Sequence, residues 1–270
     1  MCGLAGVLIG EKPGRSKAEL KDIGRLFTEI LELSERRGPH ATGVAIVSNK
    51  GDYYVSKAPV PAKRFVTSKG YRTVLSNLDE KTTLLMGHTR WPTRGSHLNN
   101  ENNHPLVGDG RNGTCILTHN GHIANSAMLF RTLSLSRRTQ VDSEILLRIA
   151  ERNLGRDGIN PYGLAADLAY CRGRMSFVVA AANCPKEVIL VKGNQPLELR
   201  YSHHHQVLLY ASEAEFLDEA LGDEDDWVEW RMLPMQLAVF HTDNLAKPII
   251  TSFYFDNSAR YVLDVLKIGG

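Results

Sequence analysis

The order in which strand-like and helix-like patterns follow one another constrains the fold of this chain more than any other feature. Short apolar runs of strand length fall into two groups, one before residue 120 and one after residue 175, with helical segments clustered between them. Clustered helices, as opposed to helices that alternate one by one with strands, favour an α+β domain of layered antiparallel sheets over a doubly wound parallel sheet. No internal repeat or low-complexity linker interrupts the 270 residues, so we expect one domain.

Apolar periodicity gives the expected position of each element. Strands are predicted at residues 4–9, 41–48, 53–58, 82–87, 114–119, 176–182, 187–191, 206–211, 227–232 and 235–241. Helices are predicted at residues 16–37, 62–78, 142–153, 161–170 and 213–221. Asn120-Gly121 is predicted as a turn. The long polar segment 88–113 is too rich in aromatic and basic side chains for disorder, and we predict a functional loop there.

Composition excludes several classes of function. A net charge of +2 gives no electrostatic reason to expect a nucleic-acid partner. No apolar run approaches the roughly 18 residues that a membrane helix needs, and residues 4–9 are too short for the core of a signal peptide. We therefore predict a cytoplasmic protein with neither a nucleic-acid nor a membrane partner.

The spacing of the cysteines indicates free thiols in a reducing compartment. It forms no Cys-x-x-Cys pair and no zinc-like pattern, and the four residues are Cys2, Cys115, Cys171 and Cys184. We predict no metal site and no cofactor.

The last residues of the chain have an amphipathic pattern of their own. We assign residues 1–250 to one domain and residues 251–270 to a C-terminal tail whose apolar side chains lie between 259 and 268. Two roles stay open for this tail, which could cover the core or face a partner.

Cys2 directly follows the initiator methionine, so removal of Met1 would make it an N-terminal cysteine. Its thiol has a reference pKa of about 8.5 and its α-amine one of about 7.7–8.0, so near neutral pH the free amine can take the thiol proton directly or through water. Such a residue carries nucleophile and base together. The alternative is a small apolar residue at the start of a strand.

Five segments with demanding chemistry follow in order along the chain. They are residues 2–3 (CG), 37–43 (RGPHATG), 87–95 (GHTRWPTRG), 118–121 (THNG) and 141–144 (VDSE). As an ordered set they resemble class II glutamine amidotransferases, whose N-terminal-nucleophile domains include those of glucosamine-6-phosphate synthase and amidophosphoribosyltransferase. The resemblance extends from Cys2 to the strand near Phe240. It implies a four-layered αββα sandwich with two antiparallel sheets.

The resemblance also implies a catalytic set. Cys2 matches the nucleophile that attacks the carboxamide of glutamine, giving a γ-glutamyl thioester and ammonia. Asn120 and Gly121 match the two donors of the oxyanion hole, one through a side-chain amide and one through a backbone N–H. Taken alone, Asn-Gly after a strand is also the ordinary signal of a hairpin turn.

Four further residues match positions that bind substrate in the family. Arg90 matches the residue that holds the α-carboxylate of glutamine, and Asp142 matches the residue that holds its α-ammonium. Trp91 and Thr93 match the wall of the glutamine pocket. Without the resemblance, Arg90 reads equally well as a surface charge and Asp142 as a helix N-cap.

Two other arginines are candidates for supporting roles. Arg37 lies in a segment that the family keeps near the nucleophile, where it would order the N-terminus, and its alternative is a basic residue in the last turn of a helix. Arg94 stands where glucosamine-6-phosphate synthase carries histidine, so it would either reinforce carboxylate binding or face a partner.

The resemblance implies a glutaminase that hydrolyses L-glutamine, and we expect a separate synthase or transferase to receive the ammonia. Two alternatives stay open. One is an N-terminal-nucleophile amidohydrolase that acts on another γ-glutamyl or acyl amide, and the other is a scaffold without activity in which Met1 is retained.

Overall fold

Two large antiparallel sheets organise residues 1–257, the part of the chain that this computed structural model describes. The strands are β1 (Gly3–Ile9), β2 (Ala41–Ser48), β3 (Tyr53–Ala58), β4 (Thr82–Arg90), β5 (Leu106–Gly110), β6 (Gly113–Ile123), β7 (Leu154–Gly155), β8 (Gly158–Ile159), β9 (Gly173–Ala181), β10 (Glu187–Lys192), β11 (Glu198–Ser202), β12 (Val207–Ala211), β13 (Val228–Glu229), β14 (Gln236–His241) and β15 (Asn244–Ser252). The helices are α1 (Lys17–Leu33), α2 (Ala62–Phe65), α3 (Lys69–Leu75), α4 (Ser126–Thr132), α5 (Glu144–Arg152), α6 (Pro161–Leu168) and α7 (Ala214–Leu221). Short 3-10 helices lie at Ser34–Arg36 and Asn100–Asn102.

The first sheet has the order β13-β11-β12-β1-β4-β2-β3, and the second has the order β15-β14-β10-β9-β6-β5. β1 lies inside the first sheet, antiparallel to β12 on one side and to β4 on the other, and all seven of its residues are buried. A strand with neighbours on both sides and apolar contacts on both faces reads as a continuous hydrophobic run, and GLAGVLI is such a run.

The two sheets face each other across an apolar layer, and helices cover both outer faces. Side chains from both inner faces meet in that layer, among them Leu4, Met86, Ile116, Val178 and Phe240. Helices α1, α2, α3 and α7 cover the first sheet, and α4, α5 and α6 cover the second. The predicted four-layered αββα sandwich is therefore confirmed.

The first helix shows how the local sequence sets its own limits. Ser16 caps α1 through its side chain, and Glu19 returns a hydrogen bond to the Ser16 N–H, which together form a capping box. Apolar side chains at helical spacing then face the sheet, including Ile23, Phe27 and Ile30. The helix is shorter than the predicted 16–37, because its last turn tightens into a 3-10 helix before Gly38.

Several predicted elements have different bounds in the structure. The predicted helix 62–78 is two helices, because the Ser68 side chain accepts a hydrogen bond from the Tyr71 N–H and starts α3 anew. β4 continues to Arg90, and the polar segment after it contains β5. Of the predicted strand 227–232, only Val228–Glu229 pairs with β11.

The predicted turn at Asn120-Gly121 is wrong. β6 continues through both residues to Ile123, and Asn120 and Gly121 lie opposite Ser176 and Met175 of β9. Nine consecutive cross-strand pairs with β9, from Cys115 to Ile123, include these two residues without a break in register, so long-range pairing overrides the local turn preference.

Six elements escaped the sequence analysis: the two-residue strands β7 and β8, and β5, β11, β15 and α4. β11 mixes charged and apolar residues, and the edge strand β15 contains Pro248, which an edge position tolerates because one side of the strand needs no ladder hydrogen bonds. β5 and α4 are short segments within polar surroundings.

The proposed domain boundary at residue 250 falls inside β15, which ends at Ser252. Phe253 and Phe255 are buried in the core beneath α6, so the described start of the tail packs with the domain. The predicted amphipathic segment 259–268 lies outside the described residues. Between residues 1 and 257, no helix is both long enough and apolar enough to cross a bilayer.

Gly6 of β1 makes room for the ring of Tyr210, its cross-strand neighbour on β12. A Cβ atom at Gly6 would lie 2.1 Å from Tyr210 Cζ, and this tyrosine is fully buried between the sheets. We expect Gly6→Ala to lower the free energy of unfolding by about 1–3 kcal/mol through overpacking. Urea unfolding measures the loss, and Gly155→Ala is the control, because the nearest atom to a Cβ there lies 3.8 Å away. Equal stability of the two variants would contradict this account of the packing.

Candidate active site

Cys2 lies at the open end of the first sheet, immediately before β1 and beside the end of β4. Its Sγ is 3.4 Å from the Trp91 backbone nitrogen, which donates to it, and 3.5 Å from the Trp91 carbonyl oxygen. Antiparallel pairing sets this position, since Gly3 is opposite Thr89 in the ladder between β1 and β4. The thiol is half-buried, and Met1 occupies its α-amine in a peptide bond.

Arg37 anchors the backbone at Cys2. Its Nε donates to the Cys2 carbonyl at 2.8 Å, and its Nη1 forms an ion pair with Glu213. The neighbouring Ser212 exchanges hydrogen bonds with Leu4, so the segment before α7 and the start of β1 are joined at two points. The sequence analysis proposed a supporting role for Arg37 and missed Glu213 as its partner.

Asn120 and Gly121 lie near the end of β6 in the second sheet. The Asn120 side chain is fully buried, yet neither its Nδ2 nor its Oδ1 has a hydrogen-bond partner among the described residues. An unpartnered buried amide costs free energy, so this one is a candidate to bind a polar group of a substrate. Gly121 has φ +148°, and a Cβ there would lie 2.1 Å from the Arg174 carbonyl oxygen. Only glycine fits at this point of the strand.

Arg90 is the last residue of β4, and its side chain is almost completely buried. Nη1 donates to Asn103 Oδ1 at 2.6 Å and to the Ser96 carbonyl at 3.5 Å. Nη2 donates to the carbonyls of Arg94 at 2.6 Å and Gly95 at 2.9 Å. In the unliganded structure both terminal nitrogens therefore hold the loop that follows β4.

Asp142 lies just before α5 and is buried. Its Oδ2 accepts the Ile123 N–H at 2.6 Å and lies 3.2 Å from His122 Nδ1. Burial alone would raise the pKa of Asp142, but the neighbouring His122 and the Ile123 N–H outweigh it and lower the pKa below its usual value. The charges of Asp142 and Arg90 both act on the Cys2 thiol, which puts the three groups in one electrostatic neighbourhood.

The other predicted residues lie in the loop after β4. Trp91 is 48% exposed, and its ring meets the His40 ring edge to face at a centroid distance of 5.0 Å. Thr93 is exposed, and Arg94 contributes its carbonyl, rather than its guanidinium, to the contact with Arg90. The structure thus brings Cys2, Arg90, Trp91 and Asp142 together, while Thr93 and the Arg94 side chain make no described hydrogen bond to them.

Comparison with known proteins shows which proteins this chain is similar to. A model of the glutamine amidotransferase domain matches residues 89–219. The chain is 28% identical over 274 residues to the 7-cyano-7-deazaguanine synthase of Saccharolobus solfataricus. This alignment covers 100% of this chain and 54% of the synthase. It is also 28% identical over 200 residues to the isomerizing glutamine–fructose-6-phosphate aminotransferase of Aeropyrum pernix. That alignment covers 73% of this chain and 30% of the aminotransferase.

Solved structures agree on the fold. The glutamine phosphoribosylpyrophosphate amidotransferase of B. subtilis superposes with a TM-score of 0.70 at 19% identity, covering 94% of this chain and 49% of that chain. A glutamine amidotransferase domain is recognised over residues 89–219. The layers of the chain are those of the N-terminal-nucleophile hydrolase fold, as the sequence predicted. The chain spans about half the length of the 7-cyano-7-deazaguanine synthase that it matches.

The sequence analysis missed a group of buried histidines behind the amidotransferase site. His88 Nε2 donates to the His119 carbonyl at 3.0 Å and so ties β4 to β6 one residue before Asn120. His119 contacts the Ser143 hydroxyl through Nδ1 at 2.8 Å, next to Asp142. The His104 ring lies 4.3 Å from that of His88, and neither nitrogen of the His104 ring has a hydrogen-bond partner within residues 1–257. The sequence gives one signal that could have found them. His88 and His119 each lie within two residues of a predicted site residue, and His104 lies in the polar segment 88–113.

Burial determines the protonation of these rings. It lowers the pKa of His88 to about 3 and that of His119 to about 4, and it lowers the pKa of His104 well below its usual value. All three are therefore neutral at pH 7. Burial also raises the pKa of the Cys2 thiol, against the lowering effects of the Trp91 N–H, the Met1 ammonium and Arg90. The thiol is therefore protonated at pH 7 and needs a base before it can attack.

The buried histidines make the domain acid-sensitive. Their pKa values are lower in the folded state than the unfolded value of about 6.5, so the unfolded chain binds more protons below pH 6.5 and stability falls as the pH falls below that value. We expect His104→Phe, which keeps the ring contact with His88, to reduce the loss of unfolding free energy between pH 7 and pH 5 by up to about 2 kcal/mol. Urea unfolding at the two pH values tests this. Exposed His204→Phe is the control and should leave the loss unchanged.

Proposed function

We propose that this chain is a glutaminase that hydrolyses L-glutamine to glutamate and ammonia with Cys2 as the nucleophile. The observation that carries the proposal is the fully buried Asn120 amide near the end of β6, which has no hydrogen-bond partner among the described residues, together with the half-buried Cys2 thiol immediately before β1. The two groups come from different sheets and have complementary roles, one as nucleophile and the other as hydrogen-bond donor.

The reaction begins with removal of Met1, which frees the α-amine of Cys2. That amine takes the thiol proton, and the thiolate attacks the carboxamide carbon of glutamine. The tetrahedral oxyanion accepts hydrogen bonds from Asn120 Nδ2 and the Gly121 N–H. The C–N bond then breaks, the α-ammonium returns a proton to the leaving nitrogen, and ammonia departs. Water hydrolyses the γ-glutamyl thioester through a second oxyanion and regenerates the thiol.

Substrate selection rests on charges at the far end of glutamine. Asp142 is ionised and binds the α-ammonium, and Arg90 binds the α-carboxylate. The carbonyls of Arg94 and Gly95 hold the Arg90 guanidinium in the unliganded protein, so the carboxylate must share or displace these contacts. Trp91 and Thr93 line the entrance. This arrangement favours a free amino acid over a bulky acyl amide.

The ammonia goes to a separate acceptor enzyme. The alignment with the 7-cyano-7-deazaguanine synthase covers the whole chain but only about half of that relative, whereas the aminotransferase match covers 73% of the chain. A synthase of the first type is therefore the acceptor to test first. Glutamine should replace ammonium as its nitrogen source only when this chain is present. Failure with this acceptor and with those from genomic neighbours would contradict ammonia delivery, though not the hydrolysis.

The nucleophile is tested directly by mass spectrometry. We expect the purified chain to lack Met1 and to gain one adduct at Cys2 from a diazoketone analogue of glutamine. Cys2→Ala should remain folded, lose glutaminase activity and take no adduct. Cys115 is buried, so Cys115→Ala serves as the control that keeps the label. Full retention of Met1 in an active protein would contradict the mechanism, and in an inactive protein it would favour the scaffold.

The oxyanion hole is tested by a kinetic comparison. Asn120→Ala should lower kcat by about 10²–10³ with little change in KM, since the donor acts on charge that develops only in the transition state. Asn77→Ala, at the exposed end of α3, is the matched control and should retain full activity. A purely structural role for Asn120 predicts a loss of stability without a selective loss of kcat.

Profiling with γ-glutamyl peptides and acyl amino acids alongside glutamine separates glutaminase from general amidase activity.

A further inference from the structure

His122 connects the buried carboxylate of Asp142 to the surface. Its Nδ1 lies 3.2 Å from Asp142 Oδ2, and its side chain is 30% exposed, whereas that of Asp142 is 3% exposed. His122 lies one residue beyond Gly121 on β6, and the next N–H along the strand, that of Ile123, occupies the same Oδ2 atom. A titratable ring thus contacts the one carboxylate to which the proposed function assigns the substrate ammonium.

We propose that His122 is a specificity-determining residue that controls access of the α-ammonium of glutamine to Asp142. This inference rests on the proposed function. When the ring is neutral, the negative charge of Asp142 is available to the substrate. When the ring gains a proton, it forms an ion pair with Asp142 and repels the incoming ammonium.

The contacts of Asp142 leave little room for both cations. The Ile123 N–H donates to Oδ2, and His122 Nδ1 lies 3.2 Å from the same atom, whereas no described group donates to Oδ1. Burial limits screening by solvent, so two positive charges beside one carboxylate oppose each other more strongly than they would at the surface. Protonation of His122 and binding of an ammonium to Asp142 are therefore negatively coupled, and each weakens the other equally.

Other charged groups around His122 do not change protonation in the same pH range. Arg174 lies opposite His122 in the register between β6 and β9, and Arg90 lies at the end of β4; both stay positively charged. His119, on the same strand, has a pKa of about 4 and Asp142 has a lowered pKa, so the first stays neutral and the second ionised above pH 5.5. A His122 variant retains all of these groups and the N-terminal amine, so it separates their effects from that of the ring.

Glutamine binding to the inactive Cys2→Ala chain is the test, because it reports affinity without chemistry. We expect the Kd measured by calorimetry to be about tenfold higher at pH 5.5 than at pH 7.5, because a proton on the ring opposes the substrate ammonium. In Cys2→Ala/His122→Gln this dependence should disappear, while binding at pH 7.5 shows that the variant is folded. Cys2→Ala/His204→Gln is the matched control and should retain it.

A second ligand separates the substrate ammonium from the rest of the molecule. The amine-free analogue 5-amino-5-oxopentanoate carries the same carboxamide and carboxylate, and its affinity should not fall between pH 7.5 and pH 5.5. Equal acid weakening for this analogue, or an unchanged pH dependence in the His122 variant, would overturn the inference and leave the glutaminase intact. Absence of glutamine binding at every pH would overturn the proposed function and this inference with it.

Discussion

The antiparallel pairing of β1 with β4 is the constraint on which the rest of the site depends. It joins the first residues of the chain to the end of a buried strand, so that Cys2 meets the Trp91 backbone and Arg90 begins the loop beside it. An N-terminus is ordinarily mobile because only one covalent bond restrains it. Here the ladder, the Arg37 hydrogen bond to the Cys2 carbonyl and the contacts of Ser212 restrain it from three directions.

The second sheet supplies the complementary half of the site, and buried polar contacts set its position relative to the first. The hydrogen bond from His88 to the His119 carbonyl crosses from β4 to β6. The His88 ring can lie in an apolar layer because burial keeps the ring neutral at pH 7. Stability and function thus share the same groups: the histidines that align β6 also place Asn120, Gly121 and, through Ser143, the start of α5.

Electrostatics divide the site into two ends. At one end, burial keeps the Cys2 thiol protonated at neutral pH until a base removes its proton. At the other end, Asp142 stays charged because the Ile123 N–H and the His122 ring oppose the cost of burial. Arg90 holds the loop after β4, since loop carbonyls occupy its terminal nitrogens, and the proposed function also assigns it the substrate carboxylate. Binding of a carboxylate and rearrangement of this loop are therefore physically coupled.

Local sequence determined those features that depend on near neighbours. The capping box at Ser16, the strands β2 and β3 and the layered α+β class follow from caps and apolar periodicity, and the ordered motifs identified the family together with Cys2, Arg90 and Asp142 as candidates. Tertiary structure alone decided the continuation of β6 through Asn120-Gly121, the Glu213 partner of Arg37, the bonds of Arg90 to its own loop, and the contact between His122 and Asp142. Three of these features depend on a strand or side chain far away in the chain, and long-range pairing outweighs a local turn preference of the Asn-Gly kind. The bonds of Arg90 depend on the conformation of an irregular loop, which apolar periodicity does not report.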